Sequence, residues 1–148
     1  MNGQSSSTPR VALLQFPGSN CDQDCRDVLR RHFKIEPVMV WHTDTQLPKV
    51  DGVILPGGFS YGDYLRSGAL AAHSPIVASV KAFAKAGGHV IGICNGFQIL
   101  VEAELLPGAL IRNAGQKFVC KPVHLRATAG KSAYHRDRGN AVIRIPVA

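Results

Sequence analysis

Cys94 is the residue of this chain best placed to do chemistry. It stands in Gly92-Ile93-Cys94-Asn95-Gly96, between a short apolar run, His89 to Ile93, and an amphipathic stretch, Asn95 to Glu102. The run reads as a buried strand. The stretch reads as a helix with Phe97, Leu100 and Val101 on one face. A side chain at so sharp a strand-to-helix turn stands out from the sheet edge, and small residues two before and two after it let the backbone bend. Gly92 and Gly96 supply them. The helix also points its N-terminus at the sulfur, which favours a thiolate. A cysteine in an apolar strand is ordinarily a small buried hydrophobe. The paired glycines, the switch from strand to helix, and polar Asn95 and Gln98 point instead to a nucleophile elbow.

Pro56-Gly57-Gly58 is the second feature. Glycines let backbone N–H groups come close to a substrate. An N–H from Gly58, paired with that of Asn95, would make an oxyanion hole, and such a donor contributes about 3 kcal/mol to transition-state stabilisation. Taken alone, Pro-Gly-Gly is common turn punctuation. Beside an elbow it reads as part of a site.

The elements that must position these groups follow from the pattern. Arg10 to Phe16 is a first strand, Pro37 to Trp41 a second and Val50 to Leu55 a third. Between the first two lies a helix through Phe33, capped by Ser19 or Asn20, with Asp22 and Asp24 in its first turn and Val28 and Leu29 on its apolar face. Phe59 to His73 is a loop with a helical turn. Ser74-Pro75 caps and opens a helix with Ile76, Val77, Val80, Phe83 and Ala84 at helical spacing, ended by Gly87-Gly88. This alternation predicts an α/β fold with a mostly parallel, doubly wound sheet. Ligands bind such sheets outside the carboxyl ends of the strands. Three loops converge there: Pro17 to Asp22, Pro56 to Arg66, and the elbow. Past Leu106-Pro107-Gly108 the pattern changes. Phe118 to Arg126 and Ala141 to Val147 read as further strands, the former antiparallel.

The 148 residues suggest one domain after a disordered tail of nine residues, MNGQSSSTP, which lacks the apolar core of a signal peptide. No apolar run approaches the roughly 20 residues that span a bilayer. Four cysteines without a secretory signal suggest a reduced, cytoplasmic protein. The net charge of +7 fits an acidic partner or phosphorylated ligand. No basic run carries interleaved aromatics, which argues against nucleic acid.

LPGGFSYGDYLRSGA (Leu55 to Ala69) and GICNGFQIL (Gly92 to Leu100) resemble the class I, or triad, glutamine amidotransferases, whose sheet is flavodoxin-like. FPGSNCDQD (Phe16 to Asp24) and LLPGALIRNAGQKFVC (Leu105 to Cys120) narrow the resemblance to the glutaminase subunits of phosphoribosylformylglycinamidine synthases, from about Val11 to Ala148. The resemblance implies that Cys94 attacks the glutamine side-chain amide, giving a γ-glutamyl thioester and ammonia. Gly58 and Asn95 would hold the oxyanion, and Gly57 and Gln98 would border the bound glutamine. Arg112, Asn113 and Phe118 would lie at the pocket rim or partner surface. No cofactor is implied on this chain. Ammonia would pass to a larger synthase subunit that uses ATP and Mg to make formylglycinamidine ribonucleotide in purine biosynthesis. In many organisms a small third subunit joins them.

The family's catalytic His and its acidic partner are expected directly after the strand that ends at Val147, so the sequence reads as a C-terminally truncated domain. The alternative function is then a catalytically impaired fragment that keeps fold and partner binding. Of the six histidines, His32, His42, His73, His89 and His124 are poorly placed to serve as base, and His135 is the least implausible replacement. Cys21 and Cys25, four apart, share a helix face, but two cysteines do not make a zinc site, and no metal is expected. Cys120 reads as packed in its strand. The alternating charge of Tyr61, Asp63 and Arg66 suggests a solvated face. A cysteine hydrolase or a chaperone-like relative on the same elbow would lack the SYGDYLR and FVC segments.

Overall fold

The computed structural model describes residues 8–126, 133–134 and 141–147. The chain divides into two compact units, Met1–Leu110 and Ile111–Ala148.

The first unit is built on a four-stranded parallel sheet. Its strands are β1 (Val11–Gln15), β2 (Val38–Trp41), β3 (Gly52–Leu55) and β4 (His89–Gly92), in the order β2-β1-β3-β4. The helices are α1 (Asp22–Phe33), α2 (Ala69–Ala72), α3 (Pro75–Lys85) and α4 (Asn95–Glu102), with a 3-10 turn at Ser60–Asp63. Strand order reverses between β1 and β3, and the loops after such a reversal form the ligand crevice of open α/β sheets. The doubly wound α/β expectation holds. Ala12, Leu13, Leu14, Val53 and Leu55 are almost fully buried in the sheet, and Ile76, Val80 and Ile99 are likewise buried on α3 and α4. Each such Leu, Ile or Val side chain stabilises the fold by about 2 kcal/mol.

Register fixes the site. Leu55 pairs with Gly92, so β3 and β4 end on the same rung. The Ile93 N–H then donates to the Leu55 carbonyl at 3.0 Å, carrying the pairing one step further. Gly57 and Cys94, each two residues past that rung, leave the sheet side by side.

Several local expectations are corrected. Neither Ser19 nor Asn20 caps α1: Cys21 holds the cap position and makes no side-chain cap bond. The Ser19 hydroxyl turns back to accept from the Phe16 N–H at 3.2 Å. Val28 is exposed, because the stripe of α1 facing the sheet runs through Asp22, Cys25 and Leu29. Ser74 sits at the cap position of α3 but makes no side-chain cap bond, and its hydroxyl meets Tyr61 instead. On α4 the buried face is Ile99, Leu100 and Val101, while Phe97 is exposed. β4 is not fully buried. It is the last strand of the described sheet, and Ile91 and Ile93 are exposed.

The second unit contains an antiparallel pair, β5 (Lys121–Arg126) with β6 (Val142–Val147), in register from Lys121–Val147 to Arg126–Val142. Both strands are shorter than expected, but their pairing direction is as read. Cys120 is exposed before β5 rather than packed in it. Arg112, Asn113 and Phe118 are exposed. Residues 1–7 of the expected tail and His135 lie outside the described residues. No helix among the described residues is long and apolar enough to cross a membrane.

Candidate active site

Cys94 joins β4 to α4 with φ 51° and ψ −111°. A residue other than glycine in this region costs about 1–3 kcal/mol and persists only where its surroundings enforce it. Here the enforcement is visible. A side chain on Gly92 would lie 2.6 Å from the Gly96 carbonyl oxygen, and one on Gly96 would overlap the Leu55 carbonyl. The backbone of the turn is thus folded against itself and against β3, as two glycines permit. The Cys94 side chain is exposed.

Gly57 lies against Cys94. The point where its Cβ would stand is 3.5 Å from Cys94 Cβ and 3.3 Å from Cys21 Sγ. Gly58 follows with φ 141°, where a side chain would press on Asn20 N at 2.8 Å. Asn95 is the first residue of α4, a position whose N–H has no acceptor one turn back in the helix.

The loop after β1 and the loop after β3 are laced together by main-chain bonds. Cys21 N–H donates to Gly57 O at 3.3 Å, Phe59 N–H to Gly18 O at 3.0 Å and Tyr61 N–H to Pro17 O at 2.6 Å, around an antiparallel bridge between Ser19 and Gly58. The three loops expected to converge do so.

Asn95 organises the floor. It is 1 % exposed, and its amide is engaged at both ends. Oδ1 accepts from the Ser60 N–H at 3.0 Å. Nδ2 donates to Asp63 Oδ1 at 3.3 Å and to Gln98 Oε1 at 3.0 Å. Gln98, expected at the substrate, is therefore tied to Asn95 through its carbonyl oxygen. The Ser60 hydroxyl is buried and has no hydrogen-bond partner among the described residues.

Of Tyr61, Asp63 and Arg66, Arg66 is exposed as a solvated face requires, whereas Tyr61 and Asp63 are half-buried. The Tyr61 hydroxyl meets His42 Nδ1 at 2.8 Å and Ser74 Oγ at 3.1 Å. Arg66 holds Glu102 of α4 with two bonds, 3.0 and 2.6 Å. The Arg66 bond keeps the Glu102 carboxyl below its ordinary range. Burial pushes the Asp63 carboxyl up, against a lowering hydrogen bond from Ser67. The solvated reading fails for Tyr61 and Asp63 because each has a part-buried partner, and those partners are 13 to 32 residues away. Ser60 and Asp63 were missed as supports of Asn95. The signal that could have found them is a short polar segment, Ser60 to Asp63, directly after the two glycines.

Cys25 is a different kind of thiol. Burial raises its pKa, and Cys21, Asp24 and Asp22 raise it further, which makes it a poor nucleophile. Among the described residues no group of three His, Cys, Asp or Glu side chains could hold a metal ion.

The chain matches the family model of a CobB/CobQ-like glutamine amidotransferase domain over residues 8–148. It is 55 % identical over 139 residues to phosphoribosylformylglycinamidine synthase subunit PurQ of Rhodospirillum rubrum, covering 93 % of this chain and 60 % of the relative. The PurQ subunit of Thermosynechococcus vestitus is 52 % identical over 139 residues, covering 93 % and 58 %. The chain thus spans about 60 % of the length of these curated relatives. Among solved structures it is similar to a chain in the structure of PurLQS from Thermotoga maritima, with a TM-score of 0.79 and 42 % identity over 95 % of this chain and 66 % of that one.

Proposed function

This chain belongs to the CobB/CobQ-like glutamine amidotransferase domain family, and on that premise we propose that it is the glutaminase part of a phosphoribosylformylglycinamidine synthase. The substrate is glutamine. Ammonia is delivered to a larger synthase subunit, with ATP and Mg used there, and a small third subunit completes the assembly. No cofactor is needed on this chain. The setting is the cytoplasm, in purine biosynthesis.

Cys94 Sγ attacks the side-chain carbonyl carbon of glutamine. The carbonyl oxygen becomes an oxyanion facing the N–H groups of Gly58 and Asn95, each contributing about 3 kcal/mol. Collapse expels ammonia and leaves a γ-glutamyl thioester on Cys94. Water then attacks the thioester, releasing glutamate and restoring the thiol. Gly57 leaves room for the substrate beside the sulfur, and Gln98 shapes the pocket from beneath through Asn95. A general base takes the thiol proton and returns it to the leaving ammonia. His42 is committed to the Tyr61 hydroxyl.

One observation carries the reading: a cysteine held at φ 51°, at the start of a helix and against Gly57. It supports reading the sulfur and two backbone donors as facing one carbonyl. The test is ammonia release from glutamine, with and without the synthase subunit, against Cys94→Ala. Release that needs Cys94 supports the proposal, and release indifferent to Cys94 overturns it.

A second reading is a binding module that keeps the fold and the affinity for the synthase without turnover. The 60 % coverage of the relatives favours considering it. The same assay separates the two. Absence of release under both conditions, with the synthase still bound, selects the module.

A further inference from the structure

Asp63 reaches the elbow through Asn95, and the chain holds it there at some cost. Its backbone is left-handed, φ 55°, as are those of Tyr61, φ 54°, and Leu65, φ 68°. Left-handed conformations in residues other than glycine need enforcement by the surrounding structure. The enforcement comes from both sides of the loop. The Tyr61 hydroxyl is anchored on His42 and Ser74, and Arg66 is clamped on Glu102 at the end of α4. What this held loop delivers inward is one carboxylate oxygen, 3.3 Å from Asn95 Nδ2.

Asn95 is the residue directly after the nucleophile. Its side chain cannot turn without breaking three hydrogen bonds, to Ser60 N–H, Asp63 and Gln98. Its main-chain N–H belongs to the peptide whose carbonyl is that of Cys94. Fixing the side chain therefore fixes the peptide plane at the elbow. Asp63 is half-buried, and burial raises its pKa, as expected of a carboxylate drawn partly out of water. A hydrogen bond to a charged acceptor is stronger than one to a neutral group. Gln98, the other acceptor of the same NH2 group, is neutral.

We propose that Asp63 is a positioning residue for glutamine hydrolysis: by accepting from Asn95 Nδ2 it locks the Cys94–Asn95 peptide with its N–H aimed at the oxyanion. This rests on the amidotransferase reading above. The effect falls on transition-state stabilisation, because the oxyanion exists only after attack, so kcat responds and the KM for glutamine does not.

The experiment uses the protein assembled with its synthase subunit and compares Asp63→Ala, which removes the acceptor, with Asp63→Asn, which keeps an oxygen at the same place. The expected result is a fall in kcat of about 10- to 100-fold for Asp63→Ala, the scale of a small misplacement of a catalytic group. KM should stay within about twofold, and Asp63→Asn should recover most of kcat. In an Asn95→Ala background, Asp63→Ala should change kcat less than about twofold, since the two act as one unit. Unchanged kcat in Asp63→Ala overturns the inference. So does an equal loss in Asp63→Ala and Asp63→Asn, or full additivity with Asn95→Ala. If Asp63→Ala fails to fold, Asp63→Gly, which suits the left-handed backbone at φ 55° and also removes the acceptor, takes its place in the same comparison and the same Asn95→Ala cycle. Activity that ignores Cys94→Ala overturns the amidotransferase reading, whereas Cys94-dependent activity indifferent to Asp63 overturns only this inference.

Discussion

Gly96 and Leu55 touch backbone to backbone: a Cβ built on Gly96 would overlap the Leu55 carbonyl oxygen and crowd its Cβ at 2.9 Å. The first turn of α4 therefore rests directly on the last residue of β3, and no flexible side chain lies between them to give way. Close approach of this kind is what lets Cys94 leave the sheet beside Gly57.

Gly96→Ala is expected to destabilise the fold by about 3 kcal/mol, at the upper end for overpacking, because the obstruction is main chain on both sides. Urea denaturation of the variant against wild type measures it. A loss below about 1 kcal/mol would mean the helix can slide away from β3 at little cost.

Tyr61→Phe removes one oxygen and leaves two partners short. Ser74 is buried and His42 half-buried, so the expected loss is about 1–2 kcal/mol, the cost of stranding polar groups. Thermal unfolding reports it. Because Tyr61 holds the loop that carries Asp63, proteolytic nicking within residues 59–68 should also quicken. Unchanged stability and unchanged nicking would show that the loop is held by its main-chain bonds alone.

The Arg66–Glu102 pair makes the loop sensitive to acid. The Arg66 hydrogen bond depresses the Glu102 pKa in the folded state. A carboxylate with a depressed folded pKa adds stability that is fully present above its ordinary, unfolded pKa. That stability is lost as pH falls through the folded value. The stability gap between wild type and Glu102→Gln should therefore be constant from pH 8 to about pH 5.5 and shrink below it, as the ordinary glutamate begins to protonate. A gap that persists unchanged at the lowest pH would mean that shape, not charge, holds the pair.

The strands, the elbow helix and the convergence of three loops were legible in the sequence because they depend on local signals. Alternation of apolar runs with Gly and Pro punctuation marks β1 to β3, and two glycines around a cysteine mark the elbow. What was illegible depends on partners distant in the chain. Asn95 read as a polar residue after a nucleophile. That its side chain reaches Ser60 and Asp63, 35 and 32 residues earlier, has no local signature. Likewise Ser74 read as a helix cap, and its hydroxyl found Tyr61, 13 residues earlier. Ser19 was misassigned for a nearer reason: its hydroxyl had a competing N–H three residues back, and that bond won. Exposure of β4 depends on its place in the strand order, which periodicity does not report.

The bonds that lace the loop after β1 to the loop after β3 run between main-chain atoms: Cys21 to Gly57, Phe59 to Gly18, Tyr61 to Pro17. Main-chain bonds are indifferent to side-chain identity but not to spacing. Replacing Asn20 or Gln23 leaves the lacing in place, whereas adding or deleting one residue between Gly18 and Cys21 puts the Cys21 rung out of step with those at Gly18 and Pro17. The first loop is thus a measured length of chain, and that length sets how it seats against Gly57 and Gly58.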